Sequence, residues 1–123
     1  MNKTQALNQF WNSFDIDAYE ENSVPDSAKL PYITYQNESD MLDVKCLLSA
    51  NIWYKSTSWK KIIDKAEEIS KKINLHGHYI QEFDNGYLYI TSGEPFMQTM
   101  SDPTDELVKR VLLNITIEYL CSY

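Results

Sequence analysis

The last long run of the chain, residues 105–119 (DELVKRVLLNITIEY), alternates between apolar and polar side chains. Its apolar set shares one face and comprises Val111, Leu113, Ile115, Ile117 and Tyr119. Its polar set falls on the opposite face and comprises Arg110, Asn114, Thr116 and Glu118. Because successive side chains of a strand point to opposite sides, this pattern predicts a long strand with one buried face. The other elements must supply the layer that covers it.

Two stretches have the helical spacing of apolar residues that marks an amphipathic helix, residues 3–14 and residues 59–74. The first stripe consists of Leu7, Phe10, Trp11 and Phe14. The second consists of Trp59, Ile62, Ile63, Ala66, Ile69 and Ile73. Both stripes are typical of helices that pack on a core.

Further strands are predicted from alternation and β-branched or aromatic content over residues 15–21, 32–36, 43–54, 79–84 and 87–91. Asn85-Gly86 predicts a two-residue type I′ hairpin turn, which would set Phe83 opposite Leu88. Gly93-Glu94-Pro95 is expected to end the following strand. We therefore predict a single α+β domain over residues 1–123, with an antiparallel or mixed β-sheet of about five to six strands and two helices packed on one face.

Five apolar residues do not fit this core and are candidate subunit or partner contacts. Leu47 and Trp53 fall on the outward face of the strand over residues 43–54, where large apolar groups indicate either a covering helix end or a subunit contact. Phe96, Met97 and Met100 lie in a segment without a clear period, and methionine repacks easily at adaptable surfaces. These three also admit an ordinary interpretation, in which they close one end of the core.

Charge and composition narrow the partners and the compartment. The chain is 43% apolar with a formal charge of −7, and basic residues concentrate only over residues 55–72. Because specific nucleic-acid binding usually requires a basic face, we expect none here. The N-terminus lacks a signal-peptide pattern, so we expect synthesis and retention in a cytosol. Cys46 and Cys121 are expected to be two reduced thiols.

The residues give no catalytic or ligand-binding motif. His76-Gly77-His78 is the nearest approach to a metal site, but the cysteines that a zinc site commonly uses lie elsewhere in the sequence. A group of carboxylates along one predicted strand is more typical of a solvated face than of an acid–base pair; it comprises Asp15, Asp17, Glu20 and Glu21. Three glycines cannot build a phosphate-cradling loop, and G-x-S-x-G is absent. We predict no enzyme activity, no metal and no cofactor.

Three stretches in the same order carry a family resemblance. They are residues 18–35 (AYEENSVPDSAKLPYITY), residues 51–70 (NIWYKSTSWKKIIDKAEEIS) and residues 96–119 (FMQTMSDPTDELVKRVLLNITIEY). Together they resemble the tail terminator proteins, also called tail completion or minor tail proteins, of long-tailed bacteriophages and Gram-positive prophages. The W-Y-x-S-T-S-W segment and the M-S-D-P segment are the most specific parts of the resemblance.

The resemblance implies a role and a fold, and it supplies no catalytic residue. It implies a mixed α+β sandwich that assembles as a homo-hexameric ring. The copies would be monomers before the ring forms. That ring would bind the end of the tail tube, stop its polymerisation and present a head–tail joining surface to the connector proteins. Assembly would take place in the bacterial host cytoplasm and the finished ring would lie at the tail–neck junction of the virion. DNA would pass through its lumen without specific binding, and no membrane would be involved.

Two other interpretations remain open at the level of the sequence. The first is another neck component, either a head-completion protein or a tail tube subunit, and a tube subunit should polymerise by itself. The second is a small ligand-binding module that uses the tyrosine-rich strands, which would require a concave apolar pocket with convergent polar groups.

Overall fold

The computed structural model describes residues 2–37, 45–101 and 104–121, the last residue by its backbone alone. Two α-helices are present among these residues, α1 (Lys3–Trp11) and α2 (Lys60–Asn74), and a short 3-10 turn (Asn12–Phe14) follows α1. The strands are β1 (Asp17–Glu20), β2 (Tyr32–Tyr35), β3 (Lys45–Lys55), β4 (Tyr79–Phe83), β5 (Gly86–Ser101) and β6 (Val108–Cys121).

The six strands form one curled, mixed sheet in the order β1-β2-β3-β6-β5-β4. Strands β1 and β2 are parallel, and the other neighbouring pairs are antiparallel. Helix α1 contacts both edge strands, β1 and β4, because the sheet curls around it. The predicted α+β fold, with a mixed sheet and two helices, is confirmed.

Strand β6 lies near the middle of the sheet and carries the centre of the core, as its alternation predicts. Its residues Val111, Leu113, Ile115, Ile117 and Tyr119 are all buried. The apolar stripes of both helices pack on this face, and their buried residues belong to the same core cluster. The α1 stripe is aromatic, and the Phe10 and Trp11 rings meet edge-on with centroids 4.9 Å apart.

Strand β5 is longer than predicted, since it continues past Gly93 to Ser101. The prediction that Gly93-Glu94-Pro95 ends the strand was wrong. Its pairing with β6 jumps from Ser92–Ile115 to Met97–Leu113, so residues 93–96 loop out opposite Asn114 as an extended β-bulge. The Asn114 side-chain amide donates to the Pro95 carbonyl over 2.8 Å, which satisfies the backbone of the bulge and allows the ladder to resume.

The β4–β5 hairpin has a different register from the predicted one. Phe83 pairs with Gly86 rather than Leu88, so the turn residues are Asp84 and Asn85. Neither has the positive φ that a type I′ turn requires. The shift spans two residues and leaves every side chain on its predicted face, because strand side chains repeat every two residues. The apolar pattern is therefore equally satisfied by both registers.

Candidate functional site

The face of the sheet opposite the helices, called here the outer face, carries the residues that the sequence singled out. Along β6 the buried side chains alternate with half-buried ones, which include Arg110 and Asn114. The buried residues of both helices pack into the core cluster on the other face. Among the described residues, the outer face is therefore formed by side chains of the strands and by the β5 bulge.

Three neighbouring strands place Trp53, Arg110 and Met100 side by side on the outer face. In the ladder Trp53 on β3 and Met100 on β5 both pair with Arg110 on β6. The Arg110 guanidinium carbon lies 5.4 Å from the centre of the Trp53 ring, a cation–π geometry. Its Nη2 lies 3.0 Å from the Met100 sulfur. We call these three residues the Trp53 patch.

The Trp53 ring is fixed in place by its neighbours on β2. Its indole Nε1 donates to the Thr34 hydroxyl oxygen over 2.9 Å, and Tyr32 pairs directly with Trp53 in the ladder. Tyr32 meets Tyr19 of β1 edge-on, with ring centroids 5.8 Å apart. The Trp53 patch is therefore continuous with an aromatic strip that reaches the β1 edge of the sheet.

A second patch surrounds Leu47, whose side chain is 61% exposed. A Cβ placed on Gly93 would lie 2.9 Å from Leu47 Cδ1 and 3.0 Å from Asn114 Cβ, so the β5 bulge lies directly against this part of the outer face. Asn114 in turn accepts a hydrogen bond of 2.8 Å from the Ser49 hydroxyl. We call Leu47 with the bulge at Gly93 and Pro95 the Leu47 patch.

The two patches are distinct surfaces of the same face. Leu47 and Trp53 lie six positions apart on β3, a separation of about 20 Å along an extended strand. The outer face thus offers two apolar surfaces of different composition to partners. One contains a cation packed on an aromatic ring, and the other contains an exposed leucine beside a backbone bulge.

The remaining sequence candidates, Phe96 and Met97, lie elsewhere. Both are half-buried and pack against the core cluster, and Met97 pairs with the buried Leu113. Their contacts are thus with the core rather than with the Trp53 patch or the Leu47 patch. Arg110, which joins Trp53 to Met100, was missed in the sequence because nothing in a single chain segment reveals which residues pair across strands.

Several tyrosines have raised pKa values because they are buried. Burial raises the pKa of Tyr119 to about 12, and the nearby Cys46 adds to the effect. Burial also raises the pKa of Tyr35, while the hydrogen bond of 2.7 Å from the Asn8 amide opposes that shift. Both phenols belong to the core side of the sheet, so these shifts report packing and do not mark a reactive group on the outer face.

Two surface cavities lie at opposite edges of the sheet. One of about 470 Å³ lies near β1 and is lined by Asn12, Asp15, Ile16, Asp17, Lys29 and Pro31. The other, of about 440 Å³, lies near β4 and is lined by Lys72, Leu75, His76, His78, Tyr79 and Ile80. Within residues 2–37, 45–101 and 104–121, histidine, cysteine and carboxylate side chains do not gather in groups of three or more that could hold a metal ion.

Comparison with protein-family models gave no match for this chain, and comparison with curated protein sequences gave none either. In the part of the chain that the structure describes, neither helix has both the length and the apolar character needed to span a membrane.

Proposed function

We propose that this protein is a non-enzymatic virion assembly protein that caps the end of a phage tail tube. It acts as a ring of six copies that ends tube polymerisation and supplies the head–tail joining surface. The observation that supports this proposal is the outer face, which carries the exposed Leu47 and, separately, the half-buried Trp53 patch, while both helices pack on the other side of the sheet. The family resemblance of the sequence supplies the identity of the partners.

A ring of identical subunits needs two different patches on each copy, because each head-to-tail contact joins unlike surfaces. The Trp53 patch and the Leu47 patch differ in chemistry and lie about 20 Å apart. Tryptophan and arginine are the residue types that most often dominate the binding energy of interfaces. Tryptophan-rich and leucine-rich surfaces can meet, and we therefore propose that the Trp53 patch of one copy contacts the Leu47 patch of its neighbour in the ring.

The charge of the chain agrees with a ring through which DNA passes. Its formal charge is −7, and its acidic residues outnumber its basic ones most strongly toward the N-terminus. Phosphates are repelled by a negative lumen, so DNA would move through without binding.

Tube assembly in vitro tests the capping role. A phage tail tube protein is polymerised with and without this chain, and tube lengths are measured by electron microscopy. We expect shorter tubes with a ring at one end, and we expect the Leu47→Ser variant to lose this effect because it removes the exposed side chain of the Leu47 patch. Lys61→Ser, an exposed change on α2, is the matched control and should cap normally.

Two results would contradict the proposal. Tubes of unchanged length and uncapped ends, at a molar excess of the folded protein, would exclude a terminator. Self-polymerisation of the chain into long tubes would instead identify it as a tube subunit.

A further inference from the structure

The two edge strands of the sheet differ in whether their outward backbone groups have hydrogen-bond partners. Strands β1 and β4 are the terminal strands of the sheet order. An edge strand presents unpaired backbone N–H and C=O groups, and proteins commonly cover or block them because they can pair with another chain. An edge that is left open beside a suitable cavity is a place where an extended segment can bind.

The β1 edge is closed from within the chain. The side-chain amide of Asn12 accepts from the Ala18 N–H over 2.9 Å and donates to the Ala18 carbonyl over 3.2 Å, so it imitates a neighbouring strand. Further along, the Ser23 N–H donates to the Glu20 carbonyl over 2.9 Å. The outward N–H and C=O of Ala18 and the outward C=O of Glu20 are thus occupied.

The β4 edge is open. Phe83 and Gly86 flank the two-residue turn and exchange hydrogen bonds, so pairing alternates along β4 and the backbone groups of Ile80 and Glu82 point away from β5. Within the described residues β4 pairs with β5 alone. The Ile80 side chain is 45% exposed at this edge.

An apolar cavity with a basic rim adjoins the open edge. Its lining includes residues of both faces of β4, Tyr79 and Ile80, so it wraps around the edge itself. Leu75, 75% exposed just after α2, forms its outer wall. Among the described residues the lining contains no carboxylate. It includes Lys72, whose ammonium donates to the Ser13 hydroxyl oxygen over 2.6 Å, and Lys71 precedes Lys72 in the last turn of α2. An apolar side chain fits the cavity and an acidic one fits its rim.

We propose that the open β4 edge binds an extended, acidic segment of a partner protein, which adds to the sheet as a seventh strand. The backbone of that segment pairs with the N–H and C=O groups of Ile80 and Glu82. One of its apolar side chains enters the cavity between Leu75 and Ile80. A carboxylate next to that anchor lies close to Lys71 and His76.

A partner protein fits this edge better than a second copy of the chain. Since Asn12 closes the β1 edge of every copy, β1 of one copy cannot pair with β4 of the next. A two-fold pairing of two β4 strands centred on Gln81 would set Ile80 opposite Glu82, so that a carboxylate of one copy would lie beside Ile80 of the other. Such a pair would also compete with a head-to-tail ring, and to this extent the choice of occupant rests on the proposed function.

Fluorescence anisotropy with a labelled synthetic peptide tests the proposal on the full chain. The probe is an eight-residue peptide of alternating threonine and valine with one central leucine and two glutamates next to it. The control peptide replaces the glutamates with lysines. We expect the acidic peptide to bind with a Kd on the order of 100 µM or tighter, and the lysine peptide to bind at least tenfold more weakly.

Two variants locate the binding site. Ile80→Pro removes an outward N–H while keeping every hydrogen bond between β4 and β5, so it should weaken binding at least tenfold. Leu75→Ser should do the same by removing the cavity wall. Leu107→Ser is the matched control, a leucine 41% exposed outside this cavity, and it should bind like the unchanged chain. Circular dichroism and urea unfolding confirm that each variant is folded.

The outcomes separate this proposal from the proposed function. The strand-addition proposal is overturned if the acidic peptide does not bind at protein concentrations up to about 1 mM. It is also overturned if folded Ile80→Pro binds the peptide as well as the unchanged chain does. A dimer that Ile80→Pro converts to monomer also overturns it, because the occupant would then be a second copy. A chain that binds the peptide but caps no tubes overturns only the terminator proposal, and a chain that caps tubes without binding the peptide overturns only this one.

Discussion

Replacing Asn12 by alanine should open the β1 edge at a cost that the structure allows to be estimated. The amide makes two hydrogen bonds to Ala18 and a third, of 2.9 Å, to the Asn8 carbonyl. A hydrogen bond contributes about 1 kcal/mol net, and a partly buried donor left without a partner costs about 1–3 kcal/mol. Since Ala18 is 4% exposed, its N–H would be poorly reached by water. We expect Asn12→Ala to lower the free energy of unfolding by about 2–3 kcal/mol.

Urea unfolding followed by tryptophan fluorescence measures this loss. With a slope of about 1–3 kcal/mol/M, the midpoint should fall by about 1–2 M. Gln9→Ala is the matched control, an exposed polar residue on the same helix, and it should leave the midpoint within about 0.3 M of the unchanged chain. If Asn12→Ala shifts the midpoint no further than Gln9→Ala does, the amide does not hold the β1 edge and the contrast between the two edges fails.

Three further changes test other parts of the structure by the same urea assay. Gly93→Ala should destabilise by about 1–3 kcal/mol, because its Cβ would meet Leu47 Cδ1 at 2.9 Å and the Asn114 backbone carbon at 3.1 Å; unchanged stability would mean that the bulge lies farther from the sheet. Asn51→Leu should stabilise by about 1 kcal/mol, because the buried Asn51 Oδ1 has no hydrogen-bond partner among the residues that the structure describes; a loss would indicate that this oxygen is solvated. Burial raises the pKa of Tyr119 to about 12 from 10.0, so the unfolded chain ionises first, and the stability present below about pH 10 should be lost as the pH rises toward 12. Tyr119→Phe should reduce that alkaline loss, and equal losses in both proteins would contradict the assignment.

The core was predictable because burial imposes a period on the sequence. The alternation of β6 and the helical stripe of α2 each identify one buried face without any knowledge of the neighbouring elements. The outward position of Leu47 and Trp53 followed from the same period, since both fall out of step with the buried side chains of β3.

Features that depend on two distant segments were not predictable in this way. The continuation of β5 past Pro95 depends on the amide of Asn114, nineteen residues later, which satisfies the bulge. The hairpin register is invisible to the apolar pattern because a two-residue shift preserves every face. Likewise, Trp53 and Met100 are recognisable singly, but only the ladder shows that Arg110 lies between them.

The closure of β1 has the same origin. In the sequence Asn12 follows α1 and resembles an ordinary helix-terminal residue. The left-handed conformation of Asp15 (φ 65°) turns the chain back, so that β1 lies beside Asn12. Its two hydrogen bonds to Ala18 become apparent only once that turn is known. The difference between the closed β1 edge and the open β4 edge is therefore a property of the folded chain, and composition and periodicity do not predict it.

Native mass in solution, measured over a range of protein concentrations and then with a tail tube protein present, shows whether the chain forms a ring. We predict a closed ring of six copies, formed by the chain alone or on the tube end, which Trp53→Ala and Arg110→Glu reduce to folded monomers. An exclusive two-fold dimer under both conditions would contradict it, since a two-fold contact uses one surface twice and cannot build a head-to-tail ring.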